Sequence, residues 1–309
     1  MSREQRARIN AMLRQPRPEE PQPVEAIRAA FRAIMARMTV PDGLRTTESE
    51  LGDRPALRVE PDGGPRAGTI LYFHGGGFVS GSPRTALSLT GNLVARTGFG
   101  AFSLDYRLAP EHPFPAAIHD GLSAYRALLE RGEDPAAIAF AGDSAGGGLS
   151  VTTCLAARDA GLPLPAAIVA FSPGLDATRT GGSMDTKAGV DPFFTRRGLE
   201  HTGAMYLAGA DPRQPLLSPA VLADLTGFPP MLLQSGADEV LLDDSTRLAA
   251  RARAAGVDVV LDVTAEAPHV FQAFAGALDE ADQALDRAAL FLTQHLPAPL
   301  PRAATTTPR

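Results

Sequence analysis

The pentapeptide Gly142-Asp143-Ser144-Ala145-Gly146 constrains this chain more than any other stretch. It follows an apolar, strand-like run, Ile138-Ala139-Phe140-Ala141, and precedes a helix-like run over 148–157. A serine between strand and helix, flanked by small residues, sits on a turn so sharp that its hydroxyl is pushed outward. The helix that follows aims its N-terminal N–H groups at the same point, which favours a developing negative charge. The plainer reading of G-x-S-x-G is an ordinary turn, and the strand before it and helix after it argue against that. A serine hydroxyl alone is a poor nucleophile. It needs a base to take its proton, an acid to hold that base in one tautomer, and donors for the oxyanion.

The donors are offered by His74-Gly75-Gly76-Gly77-Phe78, which follows the apolar run Thr69-Ile70-Leu71-Tyr72-Phe73. Three consecutive glycines cost backbone entropy, and bare N–H groups repay it by letting an oxyanion approach closely. A flexible turn is the plain alternative. A phosphate-cradling loop is disfavoured, because no G-x-x-x-x-G-K-[ST] pattern is present and no helix pattern follows directly.

Of six histidines, only His201, His269 and His295 follow Ser144, and this scaffold places its residues in the order Ser, acid, His. His295 ends an amphipathic C-terminal helix pattern, and His201 lies in a mixed segment with no strand before it. His269 follows the alternating run Val259-Val260-Leu261-Asp262-Val263 and a loop with Pro268, so His269 is the expected base. The acid belongs after the strand Met231-Leu232-Leu233-Gln234-Ser235. Asp238 stands early in that loop and is the expected acid, with Glu239 its nearest rival. Asp243 and Asp244 fall a turn later, where acids favour helix starts.

Together with Asp105-Tyr106-Arg107-Leu108-Ala109-Pro110-Glu111-His112-Pro113-Phe114-Pro115-Ala116-Ala117, the run from Asp238 to Asp244 and His269-Val270-Phe271-Gln272, these motifs resemble the bacterial hormone-sensitive-lipase-like family of α/β-hydrolases, in its GDSAG branch. The resemblance covers most of the chain, from about Leu71 to His269. It implies an oxyanion hole of the Gly76, Gly77 and Ala145 N–H groups, with His74 bracing the loop. It also implies a cap over the serine. The 105–117 stretch reads as structural: its prolines stiffen the loop into the next helix, and Arg107 and Glu111 are expected to join a buried polar network. One departure is visible. Ala265-Glu266-Ala267-Pro268 precedes the histidine where an aromatic or methionine-containing segment is more usual, which leaves the shape of the acyl pocket open.

Strand-like runs near 56–59, 69–73, 101–104, 138–141, 167–171, 231–234 and 259–263 alternate with helix-like stretches. That alternation predicts an α/β class: a mostly parallel sheet with helices on both faces. Runs that are apolar throughout fit strands buried on both faces. The expected organisation is an N-terminal helical cap segment over 1–48, an α/β-hydrolase core over 49–175 and 218–296, a cap insertion over 176–217, and a disordered tail over 297–309. A long insertion rich in apolar side chains is expected to be functional. Within it, Phe193, Phe194, Met205 and Tyr206 are the expected substrate-binding residues.

Composition narrows the rest. The formal net charge is -6, and no basic patch suggests nucleic acid. Neither a signal peptide nor a run of membrane-spanning length is legible. Cys154 is the only cysteine, so an intrachain disulfide is impossible, and it reads as a small buried apolar residue. Metal ligands are not clustered in sequence. The expectation is a cytoplasmic, cofactor-free serine carboxylic-ester hydrolase acting on a small-molecule ester of short to medium acyl chain, with a homodimer carried as the partner state. A lactone or an N-acetyl amide would suit the same residues. A catalytically silent receptor on the same scaffold would tolerate losing them, and this chain keeps them all.

Overall fold

The computed structural model describes residues 2–14 and 22–296. The expected disordered tail over 297–309 lies outside these residues, as does most of the proline-rich stretch after the first helix pattern. Eight strands form one sheet: β1 (Leu44–Leu51), β2 (Arg54–Pro61), β3 (Arg66–Phe73), β4 (Phe99–Leu104), β5 (Ile138–Asp143), β6 (Ala167–Phe171), β7 (Met231–Gly236) and β8 (Val259–Thr264). Their order is β1-β2-β4-β3-β5-β6-β7-β8. The β1–β2 and β2–β4 pairs are antiparallel, and the others are parallel.

The period of two along a strand sorts side chains to opposite faces. On β3, Leu71 and Phe73 join one core layer, which also holds Tyr125, Phe140, Leu149 and Leu248. Ile70 and Tyr72 join the other, with Leu89, Leu93, Leu285 and Leu292. The first layer is covered by α4 (Ala116–Glu130), α5 (Ala145–Asp159) and α9 (Leu242–Ala254); the second by α3 (Leu87–Thr97) and α10 (Asp279–His295). β5, β6 and β7 are buried at every residue, which is why their sequences read as unbroken apolar runs.

One expected boundary moves. The N-terminal helical segment does not reach residue 48, because β1 begins at Leu44 and pairs with β2 around a two-residue turn at Gly52-Asp53. β1 is an edge strand with one neighbour and only Leu51 buried. Its sequence, LRTTESEL, therefore carries no apolar run to announce it.

Two further helical parts pack against segments that follow the strands. From the N-terminus come α1 (Ser2–Leu13) and α2 (Val24–Met35). From the insertion come α6 (Ser183–Thr186) and α7 (Arg196–Leu207), with α8 (Pro219–Leu222) leading back into the core. Ile9 and Leu13 of α1 pack with Phe271 and Phe274, just beyond His269, and Phe193 packs against the same cluster. Val24 and Ile27 of α2 meet Tyr206 of α7 and Phe78. Among the described residues, no helix is long and apolar enough to cross a membrane.

Candidate active site

β5 ends at Asp143 and α5 starts at Ala145, leaving Ser144 alone on the turn with φ 53° and ψ -118°. A non-glycine residue in that region costs about 1–3 kcal/mol, and the surroundings must hold it there. The Ser144 N–H donates to the Phe171 carbonyl at 2.8 Å. A Cβ on Gly146 would run into the Phe73 carbonyl, so the motif's second glycine lets α5 start against β3. Ser144 is 8 % exposed.

Asp143 ties this turn to the glycine loop. One of its oxygens accepts the Tyr72 hydroxyl at 2.8 Å and the Gly75 N–H at 3.0 Å. A Cβ on Gly75 would collide with the same carboxylate. Burial pushes the Asp143 carboxyl up to about 6, against the lowering effect of those two bonds. The folded protein therefore holds this proton to higher pH than the unfolded chain does. The group's contribution to stability is full below the ordinary carboxyl range and is lost as pH rises to about 6. Asp143→Asn keeps an acceptor for both donors and cannot titrate. Wild type should lose denaturant midpoint relative to Asp143→Asn between pH 4 and pH 6, as urea melts across that interval would show; parallel curves would refute the assignment.

His269 lies in the loop after β8 and is 6 % exposed. Its Nε2 is 2.9 Å from the Ser144 Oγ, in position to accept that hydroxyl's proton. Its Nδ1–H donates at 2.7 Å to Oε2 of Glu239. Glu239, not Asp238, is the acid that meets the histidine. Asp238 is held by its N–H to the Ala267 carbonyl at 3.2 Å. Its carboxylate turns outward, 3.6 Å from Lys187 and 25 % exposed. β7 runs on to Gly236, past the expected end, and the longer glutamate side chain one position later reaches inward to Nδ1. Glu239 is fully buried. Its Oε1 accepts the Ser172 hydroxyl at 2.6 Å and also the Gly236 N–H. Three donors, Ser172, Gly236 and His269, thus meet its two oxygens.

Ser172 was not legible as part of this site. Its hydroxyl donates to Glu239 and accepts the Val270 N–H at 2.9 Å, so one group braces both the acid and the loop carrying the base. Asp243 and Asp244 do stand in the first turn of α9, but they also reach back to the insertion. Asp243 accepts the Ser183 N–H at 2.9 Å; Asp244 accepts those of Leu175 and Asp176 at 2.6 and 2.9 Å.

The glycine loop lies beside the serine. Among the described residues, neither the Gly76 nor the Gly77 N–H is engaged in a hydrogen bond. Ala145 is the first residue of α5, where an N–H has no intrahelical partner. The His74 Nδ1–H donates to the Gly75 carbonyl at 2.8 Å. Its ring stacks on Tyr106 at 4.1 Å, and the Tyr106 hydroxyl donates to the His74 carbonyl at 2.7 Å. Burial lowers the His74 pKa to about 4, so the ring is a neutral strut at neutral pH.

The four expected substrate residues divide in two. Phe193 and Phe194 lie at His269, with ring centroids 5.9 and 4.6 Å from the imidazole. Tyr206 instead stacks on Phe78 at 3.9 Å, next to the glycine loop, and Met205 packs in the same cluster. Asp191 fastens the aromatic pair. One of its oxygens accepts the Phe193 and Phe194 N–H groups at 2.7 and 2.9 Å, and the other accepts the Val240 N–H at 2.9 Å. Arg107 and Glu111 do not pair with each other: Arg107 forks onto buried Asp120, and Glu111, half exposed, takes Arg28 of α2. Among the described residues, no group of three or more His, Cys, Asp or Glu is placed to hold a metal ion.

Residues 70–273 match the family described as alpha/beta hydrolase fold. The chain is 44% identical over 224 residues to an acetyl-hydrolase of Streptomyces hygroscopicus, across 72% of this chain and 75% of that one. To an esterase of Acinetobacter venetianus it is 36% identical, across 72% and 74%. The crystal structure of an esterase from the bacterial hormone-sensitive lipase (HSL) family superposes with TM-score 0.90 at 41% identity, covering 95% of this chain and 99% of that one.

Proposed function

Since the chain belongs to the bacterial hormone-sensitive-lipase-like family of α/β-hydrolases, and is a carboxylesterase of that family, we propose that it cleaves short- to medium-chain acyl esters by a Ser144–His269–Glu239 relay through an acyl-enzyme. The observation that carries this is the unbroken line from Ser144 Oγ to His269 Nε2 at 2.9 Å and from Nδ1 to Glu239 at 2.7 Å. His269 takes the Ser144 proton as Oγ attacks the ester carbonyl. The new oxyanion rests on the Gly76, Gly77 and Ala145 N–H groups. His269 then gives the proton to the departing alcohol. Water, deprotonated by the same nitrogen, attacks the acyl carbonyl and frees the acid and Ser144. Glu239 keeps the Nδ1 proton in place and stabilises the imidazolium without taking the proton itself. Phe193 and Phe194 are the residues whose position best supports a role in the acyl pocket. A cytoplasmic location is part of the same proposal.

The name of the Streptomyces relative favours acetyl as one of the acyl groups accepted, joined through an ester or an amide. Steady-state rates on p-nitrophenyl esters of graded acyl length, beside a lactone and an N-acetyl anilide, test the reading. The expected order has the short and medium esters fastest. A kcat/KM higher on the lactone or the anilide than on every ester would replace it.

A further inference from the structure

A hollow of about 430 Å3 opens between α2, the start of β2 and the loop after β4. That volume falls within the usual range for small-molecule sites, roughly 300–1,000 Å3. Four arginines line it: Arg28 and Arg32 from α2, Arg54 from β2 and Arg107 from the loop. Glu111 is the one carboxylate among its lining residues, in a chain whose formal net charge is -6. Ser144, Glu239 and His269 are not in its lining.

Two of the four guanidiniums are already committed. Arg28 forks onto Glu111 at 2.7 and 2.6 Å. Arg107 holds Asp120 through Nε and Nη2 at 3.0 and 2.6 Å, and Asp120 also accepts the Arg107 N–H at 2.8 Å. Arg54 is held more loosely, and Arg32 is not engaged among the described residues. Arg54 reaches Asp120 only at 3.6 Å. Its Nε and Nη2 share the Asp105 carbonyl at 3.2 and 3.1 Å. The Arg32 guanidinium has no hydrogen bond or ion pair among the described residues. Burial raises the Asp105 carboxyl above the ordinary range, and the Arg54 charge beside it acts the other way. Like charges facing one concavity repel, and an oxyanion is the ligand that relieves them while satisfying the guanidinium forks.

We propose that this hollow binds a small molecule bearing a carboxylate or phosphate oxyanion, held between Arg32 and Arg54 and separate from the serine. The walls connect it to the site. Tyr106 forms part of the lining, and it stacks on His74 at the head of the glycine loop. Arg28 donates to the Val79 carbonyl at 2.8 Å, just after that loop, and to the Ala109 carbonyl at 3.1 Å in the loop after β4, pinning α2 to both. An anion here screens the repulsion within this seam and tightens it.

The test is calorimetric titration of the 309-residue chain with inorganic phosphate, and separately with citrate, at fixed ionic strength. One saturable site is expected for at least one probe, and the tighter probe identifies the oxyanion. Arg32→Gln/Arg54→Gln should weaken that site about tenfold or more, the loss of a charge-assisted bond, while ester turnover in anion-free buffer stays at the wild-type level. Should the double variant fold poorly, Arg32→Gln alone carries the test, because that exposed side chain has no partner to lose among the described residues. No saturable binding with either probe, or a site equally tight in the variants, overturns the proposal. The readout is binding, so it is independent of whether esters are the substrate.

Discussion

Replacing Ser144 with alanine is expected to abolish ester hydrolysis and leave the fold intact. The loss should be about a millionfold in kcat, the scale seen when a serine nucleophile is removed from a comparable relay. What remains is the contribution of the N–H donors and substrate binding, roughly 1,000- to 10,000-fold above water. Folding is spared because the turn geometry does not depend on the hydroxyl. The Ser144 N–H bond to Phe171 and the close approach of Gly146 to Phe73 are backbone features, and alanine meets the same φ 53° as serine. Circular dichroism and thermal midpoints beside single-turnover kinetics would check both halves. Retention of most activity would remove Ser144 from the mechanism.

Glu239→Gln should be the next most severe change, at about ten-thousandfold in kcat with little change in KM. The amide can donate to Nδ1, which moves the imidazole proton to Nε2, where it can no longer accept from Ser144. The variant also loses the carboxylate that stabilises the imidazolium. Asp238→Asn is the matched control. It disturbs a partly exposed pair with Lys187 at 3.6 Å, an interaction of a kind worth at most about 1 kcal/mol, so kcat should stay within about fivefold of wild type. Side-by-side kinetics decide the matter, because a severe Asp238→Asn and a mild Glu239→Gln would make Asp238 the acid.

That pair shows where the sequence was readable and where it was not. The serine turn and the triglycine loop are legible because their chemistry needs consecutive residues of a fixed type, and no folding is required to bring them together. His269 was legible from chain order and the strand before it. The acid was narrowed to two neighbours, and choosing between them required knowing that β7 continues to Gly236 and which way each side chain then turns. Those are tertiary facts. The bond from Asp238 N–H to Ala267 crosses from one loop to another and leaves no local signature. Ser172 was invisible for the same reason: a serine after a strand is unremarkable until Glu239 and Val270 arrive on either side of it. The interior strands could be seen because burial on two faces demands apolar runs. The edge strand β1 could not, because solvent on its free side permits Thr, Glu and Ser.

Asp191 has a consequence for anyone reshaping this esterase. It holds the backbone of Phe193 and Phe194 with one oxygen and the residue next to Glu239 with the other. The proposed gatekeepers of the acyl pocket and the proposed acid of the relay are thus fastened to a single buried post. A bulkier acyl group that pushes the aromatic pair aside also pulls on the turn that aims Glu239 at the imidazole. Selectivity and turnover are then not independent dials: variants that widen the pocket should form a frontier along which gains in substrate breadth are accompanied by losses in rate. Changes around Tyr206, which packs on Phe78, leave this post alone, because no such tether to Glu239 is made there among the described residues.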